Sequence, residues 1–138
     1  KIGERTAEDI KICVGSALTD LDNPPEPMLV RGPNLMTAIP VEVAVTSQEI
    51  AHCLDKSLVK IETAVLSVLE QTPPELYSDI VQRGIFLTGG GALLRGVDKR
   101  LQDKINIHFH ISEGPLHSVA RGTGIALKNI GKFPFLLR

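Results

Sequence analysis

Ile85-Phe86-Leu87-Thr88-Gly89-Gly90-Gly91-Ala92-Leu93-Leu94-Arg95-Gly96 is the stretch from which the rest of the chain can be read. The apolar run Ile85 to Leu87 reads as a short buried strand. A run of glycines follows, and then a helix starting near Gly96. Glycine has no Cβ, so its backbone can take positive φ and lets another molecule come close. Free amides at a helix start suit a polar or anionic ligand. Strand, glycine turn and helix together make a binding corner. The plainer alternative is a tight turn that lets the helix pack on a sheet.

Working outward, Val97, Leu101 and Ile105 give a helix from Val97 to about Ile105, and Asn106 to Ile111 reads as a second strand. Ile107, Phe109 and Ile111 alternate with His108 and His110. Two histidines on one strand face begin a metal site only if a third ligand joins them, and none is near in sequence. Pro115 opens a last helix to about Asn129, closed by Gly131. Its small residues Ala120, Gly122, Gly124 and Ala126 predict close packing on a sheet. Phe133 to Leu137 is an apolar tail, fit to dock on the body, a partner or a membrane surface.

Upstream, Thr46 and Glu49 form a capping box. It starts a long helix reaching about Gln71, with Ile50, Leu54, Leu58, Ile61, Val65, Val68 and Leu69 as its buried stripe. At 1.5 Å per residue this helix is about 36 Å long. Thr72-Pro73-Pro74 ends it and begins a short helix from Pro74 to Gln82, with Gly84 as the closing glycine. Before the long helix, Met28 to Arg31 and Leu35 to Val45 read as a hairpin around Gly32-Pro33-Asn34. The second strand is interrupted at Pro40, and Val41, Val43 and Val45 predict one buried face. At the front, Thr6 is a candidate N-cap for a helix reaching Leu18, with Ala7, Ile10, Val14, Ala17 and Leu18 on one face. Glu8 and Lys11 stand at i,i+3 on the other face, which by itself reads as a solvated ion pair.

The break at Gln71–Pro74 separates an α+β front half, residues 1–71, from an α/β back half, residues 72–130, with a tail at 131–138. With 138 residues and 43% hydrophobic content, the chain can bury a real core. A net charge of −1 gives no electrostatic footprint for nucleic acid. Cys13 and Cys53 read as free, buried thiols of a cytosolic protein. No apolar run approaches the roughly 18 residues of a bilayer span. The chain carries no signal peptide and starts without Met, and it reads as a piece of a longer protein. No Walker A lysine, dinucleotide G-x-G-x-x-G, nucleophile elbow or His-Glu-x-x-His is present, so binding is better supported than catalysis.

Several motifs in order carry a resemblance. Gly3 to Ile12 (GERTAEDIKI), Val30 to Leu35 (VRGPNL), Glu70 to Leu76 (EQTPPEL), Leu87 to Gly96 and Val119 to Gly124 (VARGTG) are similar to the bacterial actin homologues of the MreB/Mbl family. The resemblance covers about Gly3 to Lys128. It implies an α/β, actin-like ATPase (ribonuclease H-like) fold, of which this chain is the C-terminal half. Residues 1–71 would be a small α+β outer subdomain, and residues 72–130 a partial α/β inner subdomain. It implies an ATP-binding cytoskeletal protein that polymerises with itself into filaments. These lie on the inner face of the cell membrane, organise the cell-wall elongation machinery and set rod shape. It places Glu8, Asp9, Ile10 and Lys11 as one wall of a nucleotide site, and Gly89, Gly90, Gly91 and Ala92 as the backbone closing over the adenosine and α-phosphate side. A carboxylate accepting ribose hydroxyls contributes about 1.5–3 kcal/mol. The Asp-containing phosphate loops and the group that positions the attacking water lie in the other half of the family's chain, so the ATP and Mg²⁺ of the whole protein are expected to bind weakly or not at all here, without catalysis. The rival readings are half of a sugar- or acetate-kinase-type phosphotransferase of the same superfamily, and an interaction module that binds no nucleotide.

Overall fold

The computed structural model describes residues 1–132; the apolar tail from Phe133 lies outside the described residues. In chain order the elements are α1 (Glu4–Val14), β1 (Met28–Pro33), β2 (Pro40–Val45), α2 (Ser47–Glu70), α3 (Pro74–Arg83) and β3 (Ile85–Leu87). A 3-10 turn (Gly90–Leu93), α4 (Val97–Ile105), β4 (Phe109–Ile111), α5 (Ser118–Lys128) and a second 3-10 turn (Ile130–Lys132) complete them.

α2 forms as its capping box dictates. The Thr46 hydroxyl accepts from the Glu49 amide, and the Glu49 carboxylate accepts from the Thr46 amide at 2.8 Å. The bond from the Thr46 amide first, and then one donated by the Thr46 hydroxyl at 3.0 Å, hold the Glu49 carboxyl below its ordinary value. Only part of the expected stripe is buried. Leu58 and Leu69 are in the core, and Leu54 and Val65 pack against it, but Ile61 and Val68 are exposed. The face turns instead to bury Ala51 and Glu62. The helix stops at Gln71, with Pro74 at the start of α3, where its missing N–H costs nothing.

β1 and β2 pair antiparallel, from Met28 opposite Val45 to Pro33 opposite Pro40. The hairpin is as expected, but β2 begins at Pro40 rather than Leu35. Asn34 diverts the chain: its side-chain oxygen accepts from the Met36 amide at 2.8 Å, building a polar turn before the second strand. The valine face is mostly open. Val41 and Val43 are exposed, because no layer of the described residues lies over them, and they line a shallow groove with Ile2 and Ile10.

β3 and β4 pair in parallel, with Ile85 opposite Phe109 and Leu87 opposite Ile111. Parallel neighbours need a crossover, and α4 supplies it. β4 is shorter than expected because Asn106 takes a left-handed conformation (φ 60°) that caps α4. Ile107 and Phe109 are buried while Ile111 is exposed. The main core joins Ala17, Leu58, Leu69, Val97, Leu101, Ile107 and Phe109, taking residues from both sides of Gln71–Pro74. A second cluster of Ile10, Val14 and Val30 seats α1 on the hairpin.

Three further expectations are corrected. α1 runs from Glu4 to Val14, with Gly3 rather than Thr6 at its N-cap and no side-chain cap. It stops short of Leu18 because Ser16 leaves the helix to bridge Arg95. Both cysteines are free but exposed, since each sits on the outer face of its helix. α5 begins at Ser118 and has no buried residue, so its small side chains pack on no sheet within the described residues.

Candidate functional site

On α1, Glu8, Asp9 and Lys11 are exposed. Glu8 and Lys11 face each other at 3.8 Å, with 66% and 53% of their side chains exposed. A pair this open is worth a few tenths of a kcal/mol, so α1 does not depend on it. Both groups are available to another molecule. Ile10 differs from the rest of the expected wall: it is buried against Val14 and Val30, so its side chain serves packing.

The glycine corner is built from its two ends. At the entry, the Gly89 amide donates to the Pro115 carbonyl at 2.9 Å, and the Thr88 hydroxyl donates to the same oxygen at 3.0 Å. Gly89 itself takes φ 82°, a conformation side chains disfavour. At the exit, Gly96 takes φ 72°, and a Cβ there would lie 2.8 Å from Leu18 Cδ1. Packing and backbone therefore explain those two glycines. They do not explain the middle two. Gly90 and Gly91 have ordinary φ and are exposed. A Cβ at Gly91 would meet nothing within 4 Å, and one at Gly90 only Leu116 Cδ2 at 3.4 Å. They open the 3-10 turn, where the first amides have no partner within the turn. The Ala92 methyl is buried, holding the turn down.

Residues about eighty positions apart are then tied together. Ser16 and Arg95 form a short parallel bridge, and the Ala17 amide donates to the Arg95 carbonyl at 2.8 Å. Arg95 Nη1 reaches the carbonyls of Gly15 and Ile12 at 3.3 and 3.4 Å. The end of α1 is thus fastened to the end of the glycine corner. Beside the bridge, Arg100 donates to Glu62 at 2.6 Å, to Asp55 at 2.8 Å and to the Ala17 carbonyl at 3.1 Å. Partial burial opposes the Arg100 charge. Hydrogen bonds and charges from Glu62 and Asp55 outweigh it and hold the guanidinium above its ordinary value.

The ties made by Ser16, Arg95, Arg100 and the Pro115 carbonyl are not legible in the chain. No local pattern marks them, because each acts on a residue remote in sequence. His108 and His110 do lie together, with ring centroids 4.2 Å apart, but His108 is held by Gln102 at 2.7 Å and His110 stacks on Phe86. Among the described residues no three metal-ligating side chains converge.

Gly90–Gly91 are thus an open stretch of backbone, and Glu8 and Lys11 are exposed hydrogen-bonding groups. A sequence profile described as MreB/Mbl protein matches residues 1–134. The cell shape-determining protein Mbl of Bacillus cereus is 46% identical over 133 residues, which is 96% of this chain and 39% of that protein. The cell shape-determining protein MreB of Escherichia coli K12 is 48% identical over 129 residues, 94% of this chain and 37% of that protein. Among solved structures, MreB5 of Spiroplasma citri bound to ADP superposes with a TM-score of 0.87 at 39% identity, over 95% of this chain and 39% of that one. The same protein bound to AMPPNP gives 0.87 at 37% identity, over 99% and 40%. The fold is therefore part of an actin-like ATPase fold, and the chain spans about two fifths of the length of these relatives.

Proposed function

Because the chain belongs to the MreB/Mbl family, we propose that it is the C-terminal part of an ATP-binding, actin-like cytoskeletal protein that determines rod shape. In this reading the whole protein polymerises on the cytoplasmic face of the cell membrane and organises cell-wall elongation there. Residues 1–71 form its outer subdomain and residues 72–130 most of an inner one.

One observation carries the nucleotide assignment. Gly90 and Gly91 have no reason within the described fold to be glycine, and the Ser16–Arg95 bridge ties their loop to the helix bearing Glu8 and Lys11. The reading assigns Glu8, through its carboxylate, to the ribose hydroxyls, with Asp9 and Lys11 beside it. Gly89 to Ala92 supply the backbone over the adenosine side. ATP brings the phosphoanhydride whose cleavage drives the filament cycle. Mg²⁺ and the phosphate contacts belong to the remainder of the protein. The relatives crystallised with ADP and AMPPNP support this reading.

The test is ATP titration of the full-length protein by calorimetry. Glu8→Ala is expected to weaken binding by about 10- to 100-fold, the equivalent of a charge-assisted hydrogen bond. Gly91→Ala is expected to weaken it about tenfold or more, by placing a methyl where the ligand lies. Unchanged affinity in both variants overturns the site. The chain by itself is expected to bind ATP weakly and to turn none over.

A further inference from the structure

Two walls of the site come from parts of the chain that share no element, so something must set their separation. α1 ends at Val14, and the backbone that leaves it, Gly15 to Ala17, is buried. Ser16 is fully buried; its hydroxyl donates to Leu18 O at 2.7 Å and accepts from the Leu18 amide at 3.0 Å, locking the turn. That turn is already held to Arg95 by backbone pairing. The Arg95 side chain adds a hold on the Gly15 and Ile12 carbonyls. Neither contact reaches α2, so tying α2 into the same junction takes a further attachment.

Arg100 supplies it. Its position in the first turn of α4 is set by its amide, which donates to the Gly96 carbonyl at 2.9 Å. From there the guanidinium reaches three acceptors on two segments. One arm meets Ala17 O beyond α1, and the others meet Glu62 and Asp55 on α2. Asp55 and Glu62 stand seven residues apart, two turns along one face of α2, so the fork spans that face. The Glu62 side chain is only 6% exposed and the Arg100 side chain 18%. A buried carboxylate without its partner is strongly disfavoured, so these two groups have one acceptable arrangement. Arg's planar fork serves three acceptors in fixed directions, which a lysine ammonium does not.

We infer that Arg100 is a positioning residue of the nucleotide cleft, fixing α1 against the glycine corner by joining Ala17, Glu62 and Asp55 at one guanidinium. The inference rests on the nucleotide site proposed above. Arg100 touches no ligand. It acts through the backbone of Ala17 on one side and through α4, which follows the corner directly, on the other. Small errors in the placement of binding groups have large effects on their action.

The test uses the full-length protein with four variants: Arg100→Met, Arg100→Lys, Asp55→Asn and Leu69→Ala. Leu69 is buried in the same core, at the opposite end of α2 from the capping box, and makes no hydrogen bond or ion pair to Arg100. It serves as a control for stability loss alone. ATP affinity is measured by calorimetry well below each variant's melting temperature. Arg100→Met is expected to weaken ATP binding about tenfold or more, Arg100→Lys to recover only part of it, and Leu69→Ala to stay within about twofold of the parent. Asp55→Asn, which keeps the Glu62 contact, is expected to weaken binding about threefold; it provides the readout if Arg100→Met does not fold. Equal affinities for parent and Arg100→Met, or for parent and Asp55→Asn where the former is insoluble, overturn the inference. So does a loss in Leu69→Ala matching that in Arg100→Met. Glu8→Ala separates the two layers. Weakened binding there with Arg100→Met unaffected removes only the positioning role, whereas unaffected Glu8→Ala removes the site itself.

Discussion

The junction around α4 and the helix α5 are close in the chain and opposite in character. α4 is nine residues long, yet it buries Val97 and Leu101 and holds Arg100 in a three-way clamp. α5 is eleven residues long and buries nothing. Its Val119, Ile125 and Leu127 are exposed, and its Gly122 and Ala126 line an open depression of about 330 Å³ with Leu127 and Ile130. Both helices carry apolar residues at helical spacing. The difference shows that an amphipathic pattern states which face is fit to be covered, not whether anything covers it. That depends on what the fold brings alongside.

The sharpest way to break this contrast is to truncate one apolar side chain in each helix of the 138-residue chain. Leu101→Ala is expected to cost about 2–5 kcal/mol by urea denaturation, from lost burial and a residual cavity. Val119→Ala, at 73% exposure, is expected to stay within about 0.5 kcal/mol. Equal losses would show that α5 is packed after all.

A smaller effect separates the glycines of the corner. Gly96→Ala forces a side chain into positive φ and against Leu18, with an expected loss of about 1–3 kcal/mol. Gly91→Ala has open space and ordinary φ, so stability is expected to change by no more than about 0.5 kcal/mol even as ATP affinity falls in the full-length protein. A Gly91→Ala chain as destabilised as Gly96→Ala would return the whole run to a packing role.

Amide exchange sharpens the comparison without mutation. Amides in the second half of α4 are expected to exchange slowest, near the global unfolding limit, and those of α5 faster by about tenfold or more. Comparable protection in the two helices would contradict their difference in burial.

The smallest effect is local and pH-dependent. The Glu49 carboxyl is held below its ordinary value of 4.5 by the capping box. A lowered folded-state value means that its contribution is present above the ordinary value and disappears as pH falls through the folded one. As pH falls below the ordinary carboxylate value, exchange at the first turn of α2 is expected to speed up. Glu49→Gln, which retains the shape but not the charge, should remove that pH dependence. α5 has no side-chain cap at His117.

Much of the architecture was legible where the governing interaction spans three or four residues. Thr46 and Glu49 announce α2 because each satisfies the other's neighbouring backbone. Pro74 and Gly84 bracket α3 because one lacks an N–H and the other tolerates φ 78°. Ile85 to Leu87 with Gly89 announces the strand and corner, and the resemblance to MreB/Mbl proteins pointed to α1 as its companion. Errors arose where a distant group intervened. α1 stops early because Ser16 pairs with Arg95. Ile61 lost its expected burial because α2 turns Glu62 inward to meet Arg100.

By itself, then, the sequence determined the order of elements, the ends of α2 and α3, the turn chemistry of Gly89 to Gly96, and family membership. Those depend on short-range hydrogen bonding and on which residues tolerate which dihedral angles. Only the tertiary structure decided which apolar faces are covered, that Gly90 and Gly91 have no packing reason within the described fold, and that one guanidinium joins α1's exit to α2 and α4. Such contacts close loops of tens of residues, and their partners carry no mark until folding sets them side by side.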